Sequence, residues 1–406
     1  MTALLRQIDQ TVDIRSLARA VLVLAPLFAA ALSTGNPQWM RAALVTASAF
    51  IAMEKTGLAP LGVALHGLAI GAGFLTLLAT VPFPSFFAVG SATMAAGTIL
   101  LTVKGERLRT LGNFTFIPAL YLACEFTEMR GDSAFVRGCT FLPYLALAIL
   151  PVLLFSAAEH EYKREPHVRY PAHLGRVRHP DADLGTAARY WEGVVAVALA
   201  AGVAALFAEW RHLSYAQWLI WSAASVVTGN AAGARRKLTD RAAGALVGVP
   251  IGVICAWLVP HVPSLLHLAE ISAVLTLTAF RIYRLGFGAR CACVAFALTF
   301  AGQTEGAIER VANVALGGSI GLAFVFAAHA VALGLKGRLL VRNQGRSPAP
   351  APAPSAFGSS EKRSSISETP PRPGRAEHDR DDAGVCHGGA AGPAALGADQ
   401  RPQRSR

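Results

Sequence analysis

The chain has 406 residues, 53% of them hydrophobic and only 15% charged, with a mean hydropathy of +0.43 and a formal net charge of +12. A soluble chain of this length needs far more charge to cover its surface, so a water-soluble globular fold is excluded. From Val341 onward there are ten Lys/Arg against seven Asp/Glu, so most of the positive excess lies between the apolar runs, as in membrane insertion and unlike a phosphate-tracking nucleic-acid surface.

A hydrocarbon core of roughly 30 Å needs about 20 apolar residues per helix. Runs of this kind begin near Arg15, Trp39, Leu58, Pro84, Leu111 and Phe141, and again near Tyr190, Tyr215, Arg241, Ser264, Gly286 and Val311. They predict an all-α integral membrane protein of about 12 transmembrane helices in two six-helix halves, with both termini cytoplasmic. The first run follows Arg6, Arg15 and Arg19, but Asp9 and Asp13 interrupt the basic stretch. That favours an uncleaved first helix over a signal peptide.

The loops test this topology. With the N-terminus inside, the cytoplasmic gaps hold Lys55; Lys104, Arg107 and Arg109; Lys163, Arg164, Arg169, Arg176 and Arg178; Arg235, Arg236 and Lys237; and Arg281, Arg284 and Arg290. The opposite gaps hold Arg130, Arg137, Arg211 and Arg310. Such asymmetry is the positive-inside pattern. Four units result: a first transmembrane half at 1–157, a hydrophilic connector at 158–189, a second half at 190–335, and a disordered tail at 336–406. The tail follows from its Pro-Ala repeats and polar composition, which cannot bury a core. Both halves share an entry, Gln38-Trp39 and Gln217-Trp218, which suggests a parallel internal duplication.

The most informative stretch is Arg235-Arg236-Lys237 followed by Arg241, Gly244, Gly248 and Gly252. Glycines four apart share one helix face and let membrane helices approach closely. Arg310, Asn313, Gly317 and Gly321 repeat the same offsets. Two readings stay open: the arginines anchor helix ends while the glycines pack, or Arg241 and its neighbours draw an anion into a cavity. The topology puts Arg241 and Arg310 at opposite ends, so the second reading makes them the two ends of a path.

Ionisable groups within spans are functional candidates because they are expensive there. Arg41 either lines the path or snorkels to the interface. His66 and His329 either relay protons or are hydrogen-bonded in the bundle. Asn113, Asn230 and Asn313 are candidates for bridging helices, and Glu125 and Glu270 fall near span ends where water reaches. The connector histidines, His160, His167, His173 and His179, lack a compact metal spacing. Of the six cysteines, Cys124, Cys139, Cys255, Cys291 and Cys293 lie in or beside apolar runs and Cys386 in the tail. No CxxC pair, nucleophile elbow, phosphate-binding glycine loop or HExxH helix occurs, so neither an enzyme, a cofactor nor a metal is expected.

The pattern of Trp218, then Arg241, Gly244 and Gly248, then Arg310 with its glycines, resembles the fusaric acid resistance (FUSC) family, whose relatives include aromatic acid exporters. The resemblance is best over 190–335. It implies a multi-pass protein of the bacterial inner membrane that effluxes small organic anions, among them aromatic carboxylic acids. The partners expected are the lipid bilayer, the anion, and a homo-oligomer or accessory membrane protein. The rival expectation is a non-transporting scaffold whose glycine faces dock another membrane protein.

Overall fold

The computed structural model describes residues 11–104, 108–129, 133–162, 184–228 and 231–344. Within them run twelve α-helices: α1 (Ile14–Thr34), α2 (Gln38–Thr56), α3 (Pro60–Thr80), α4 (Pro84–Leu100), α5 (Leu108–Glu128), α6 (Ala134–Tyr162), α7 (Leu184–Trp210), α8 (Ala216–Val226), α9 (Ala231–Leu258), α10 (Pro263–Ala279), α11 (Tyr283–Phe300) and α12 (Thr304–Gln344). Local signals set their ends. Asp13 caps α1 by accepting the Ser16 N–H at 3.2 Å, and Gly35 and Gly57 close α1 and α2 in left-handed backbone, at φ 65 and 68. Prolines open α3, α4 and α10, where a missing N–H costs nothing.

Six of the helices are long and apolar enough to cross a membrane: α1, α3, α6, the Tyr190–Trp210 part of α7, α9, and the Thr304–Gly334 part of α12. The outer surface agrees. Leu22, Leu68, Val89, Leu154 and Leu246 are each between 61% and 69% exposed, an apolar exterior that only lipid covers. The chain is therefore a multi-pass membrane protein in contact with the bilayer.

The packing repeats with an offset of six helices. In the first half α2 packs on α1 and α6, α3 on α5 and α6, and α4 on α5; in the second, α8 packs on α7 and α12, α9 on α11 and α12, and α10 on α11. The contacts between halves are reciprocal in the same sense, α4 against α7 and α1 against α10. At the second of these, the chain entering α1 pairs with the α10–α11 link: the Asp13 N–H donates to Ala279 O at 2.8 Å, and the Arg281 N–H to Thr11 O at 3.0 Å.

Several sequence expectations need correcting. α9 begins at Ala231 and α12 at Thr304, so Arg241 and Arg310 lie within helices instead of heading them. α11 begins at Tyr283, so Arg290, counted above among the loop charges, lies two turns inside the helix. Apolar runs are a late marker of helix starts, because long basic side chains lay their methylenes along a helix without breaking it. The segment at 215–229 is helical only over Ala216–Val226. Eleven residues rise about 16 Å, roughly half the hydrocarbon thickness, so α8 is a half-helix. α12 continues past 335 to Gln344. Asn230, Arg107, Arg130, most of the connector with His167, His173 and His179, and the tail beyond 344 lie outside the described residues.

At the end of the bundle where α1 starts, Arg19 bonds Glu54 of α2 at 2.8 Å and Glu159 of α6 at 2.5 Å. All three side chains are 20–33% exposed, so solvent weakens the pairing. Arg19→Ala leaves two carboxylates facing each other, and a loss of about 1 kcal/mol of stability is expected. Thermal melting in detergent should drop slightly for Arg19→Ala and recover when Glu159→Gln is added.

Candidate functional site

Three arginines of the second half come together without acidic partners among the described residues. Arg241 is only 3% exposed; it donates to the Tyr283 hydroxyl at 3.1 Å and its guanidinium lies 4.5 Å over the Phe287 ring. Arg310, 6% exposed, makes no hydrogen bond among the described residues and sits 4.4 Å over the Trp218 ring. Arg290 donates through Nε and Nη2 to the hydroxyl and carbonyl of Thr276, both at 3.2 Å. The like charges of Arg241 and Arg310 both act on Arg290. The ion pairs of the described residues lie elsewhere, on Arg19, Arg41, His267 and His329.

Their placement follows from the glycine stripes. On α9, a Cβ at Gly244 would meet Phe287 at 2.9 Å, and at Gly248 and Gly252 it would run into the carbonyls of Gly288 and Ala292 on α11. α9 and α11 therefore lie backbone to backbone and parallel, which brings Arg241 onto Tyr283 and Phe287. On α12, Gly317 and Gly321 sit against the carbonyls of Leu219 and Ala223 on α8. That contact brings Arg310 onto Trp218. α9 and α12 run antiparallel, with Arg235 over Phe326 at 4.9 Å and Leu238 against Gly318. The two arginine–glycine motifs thus start from opposite ends and approach Arg290 from either side.

The Arg310 end is built on the break before α8. Tyr215 holds a left-handed backbone at φ 56, uncommon for a bulky residue. Its N–H donates to Glu128 at 2.8 Å, its hydroxyl to Gln303 at 2.9 Å, and its ring stacks on Trp218 at 4.6 Å. Asn313 donates to Ser214 O at 3.3 Å, so it ties α12 to this turn. The backbone strain buys a fixed aromatic platform beside a bare guanidinium.

The other expected residues fall apart from this group. Arg41 does not snorkel: it bonds Glu125 at 2.7 Å and lies 5.6 Å over Phe126, so Glu125 is paired instead of hydrated. The charges of Arg41, Glu125 and Arg310 nevertheless all act on Tyr121 of α5, placing this pair beside the Arg310 end. His66 belongs to a separate cavity in the first half. His329 has a side chain 59% exposed and stands 3.9 Å from Glu192, outside the interior. Sequence reading assigned no role to Arg290, Tyr215 or Tyr283. Arg290 was legible as a charge between Phe287 and Cys291, inside the run that begins at Gly286.

Residues 203–324, from late α7 into α12, match a family model described as Fusaric acid resistance protein-like. All three arginines and Trp218 lie within that stretch. Comparison with curated proteins and with solved structures gives no match.

Proposed function

We propose, from the premise that residues 203–324 belong to the fusaric acid resistance protein-like family, that this membrane protein exports small organic anions, aromatic carboxylates among them, along a path through Arg241, Arg290 and Arg310. The observation that carries the reading is the set of three interior guanidiniums that pair with no carboxylate among the described residues. Burying an uncompensated charge is costly, and an anion that enters the group offsets that cost. Two of the guanidiniums lie on aromatic faces, so a ligand with a carboxylate and a ring meets complementary surface on both counts. The half-helix α8 and the break after it follow the pattern of transporter sites built at discontinuous helices.

The protein sits in the bacterial inner membrane with both termini in the cytoplasm, so that Arg241 faces the inside and Arg310 the outside. An inside-negative potential then favours outward anion movement by about 2.3 kcal/mol per charge at 100 mV. The test is accumulation of a labelled hydroxybenzoate in cells with and without the protein at matched expression. Accumulation should fall with the native protein and return to the control level with Arg241→Ala. Equal accumulation in all three, across a panel of acids, sinks the reading.

A further inference from the structure

In the first half, where α3 begins and α4 ends, a cavity of about 510 Å³ opens against α5. That volume falls within the usual range of small-molecule sites, roughly 300–1,000 Å³. Its lining includes Leu65, His66, Met94, Gly97, Thr98 and Phe116, and among the described residues it holds no Lys, Arg, Asp or Glu. Leu65, Leu100 and Leu101 on its rim are 49%, 43% and 37% exposed, so part of the opening lies on the apolar exterior.

One group in this lining is poorly served. His66 is 4% exposed; the backbone of Leu111 and Phe114 lies near its ring, but neither ring nitrogen makes a hydrogen bond of normal geometry among the described residues. The hydroxyls of Thr98 and Thr115 are already committed to Ala95 O at 2.7 Å and Leu111 O at 2.9 Å. An imidazole buried in this state forfeits about 1–3 kcal/mol unless something completes it. The second half treats the matching crossing differently. Thr98 meets Gly112 there, and 14 residues likewise separate Thr276 from Arg290, whose guanidinium fills that crossing. The first half keeps a glycine and an empty space.

We propose that this cavity binds an uncharged small aromatic molecule carrying one hydroxyl group, entering from the bilayer and hydrogen-bonded to His66. An ion is disfavoured because no counter-charge lines the wall. An acyl chain would fill the volume but leave both imidazole nitrogens unpaired. A ring finds an edge contact with Phe116, itself held 6.1 Å from Trp221, and a thioether contact with Met94. Gly97 has nothing within 4 Å of where a side chain would start, so the cavity reaches its backbone. The site stands on this cavity alone, and it holds or fails independently of the anion path.

The test measures binding of 2-naphthol, naphthalene and 2-naphthalenesulfonate to the full-length protein in nanodiscs, with empty nanodiscs as the blank. The native protein should take one 2-naphthol per chain, roughly tenfold tighter than naphthalene, the equivalent of about 1.4 kcal/mol. His66→Phe should bring the two to equal affinity, His66→Gln should restore the preference, and Gly97→Leu should abolish both while the protein melts normally. Equal affinities in the native protein overturn the proposal. So does equal binding of the sulfonate, unchanged binding in Gly97→Leu, or a co-purified phospholipid that 2-naphthol does not displace.

Discussion

Replacing Arg290 with leucine is expected to cut export severely while leaving the protein at least as stable as before. Its guanidinium bonds only Thr276 and feels the like charges of Arg241 and Arg310, so removing it relieves repulsion and desolvation together. Swapping buried ionic groups for apolar ones of similar volume is often neutral or stabilising by about 1–4 kcal/mol. A charge-assisted contact to the transported anion, on the other hand, contributes about 1.5–3 kcal/mol, so export should fall roughly ten- to hundredfold. Melting temperature and hydroxybenzoate export measured on the same variant separate the two roles. If stability and export fell together, Arg290 would be a packing residue and not a binding one. Arg290→Lys should sit between, because a lysine keeps the charge and loses the two-pronged grip on Thr276.

Gly248→Leu should have the opposite signature, with little folded protein recovered at all. A Cβ there overlaps the Gly288 carbonyl and lies 3.0 Å from the Cys291 Cβ, and neither is the flexible end of a side chain. Overpacking a core ordinarily costs about 1–3 kcal/mol. Here the obstacle is backbone, so α9 and α11 must separate, and the cost rises beyond that range. Gly97→Ala is the control, since its methyl meets nothing within 4 Å. Recovery after detergent extraction, read by size-exclusion profile, should collapse for the first and stay unchanged for the second. A monodisperse Gly248→Leu protein would mean that the stripe is not a packing seam.

The membrane class and the repeating order of helices were legible because both rest on hydropathy, which a sequence carries residue by residue. So was the close packing at Gly244, Gly248, Gly252, Gly317 and Gly321, because a four-residue glycine period is a local pattern. What escaped was long-range. The Arg41–Glu125 pair joins residues 84 positions apart, and only the packing of α2 on α5 brings them together. Arg290 was hidden because it was counted with the loop charges Arg281 and Arg284, although the run from Gly286 already contains it. The end of α8 was legible only to within three residues: Gly229-Asn230 marks the link to α9 in the sequence, but the helix already stops at Val226.

The pairing of residues 11–13 with 279–281 sets an order of events during biosynthesis. When α1 enters the bilayer, the backbone partner of the Asp13 N–H is not yet made, and water must serve until Ala279 leaves the ribosome. The first half must therefore wait with one flank open, exposing the face of α1 that α10 later covers. Long waits of this kind leave nascent chains open to misassembly and favour insertion helpers that shield unfinished seams. A truncation ending at Leu258 would keep nine of the twelve described helices and still lack the clasp that closes the first.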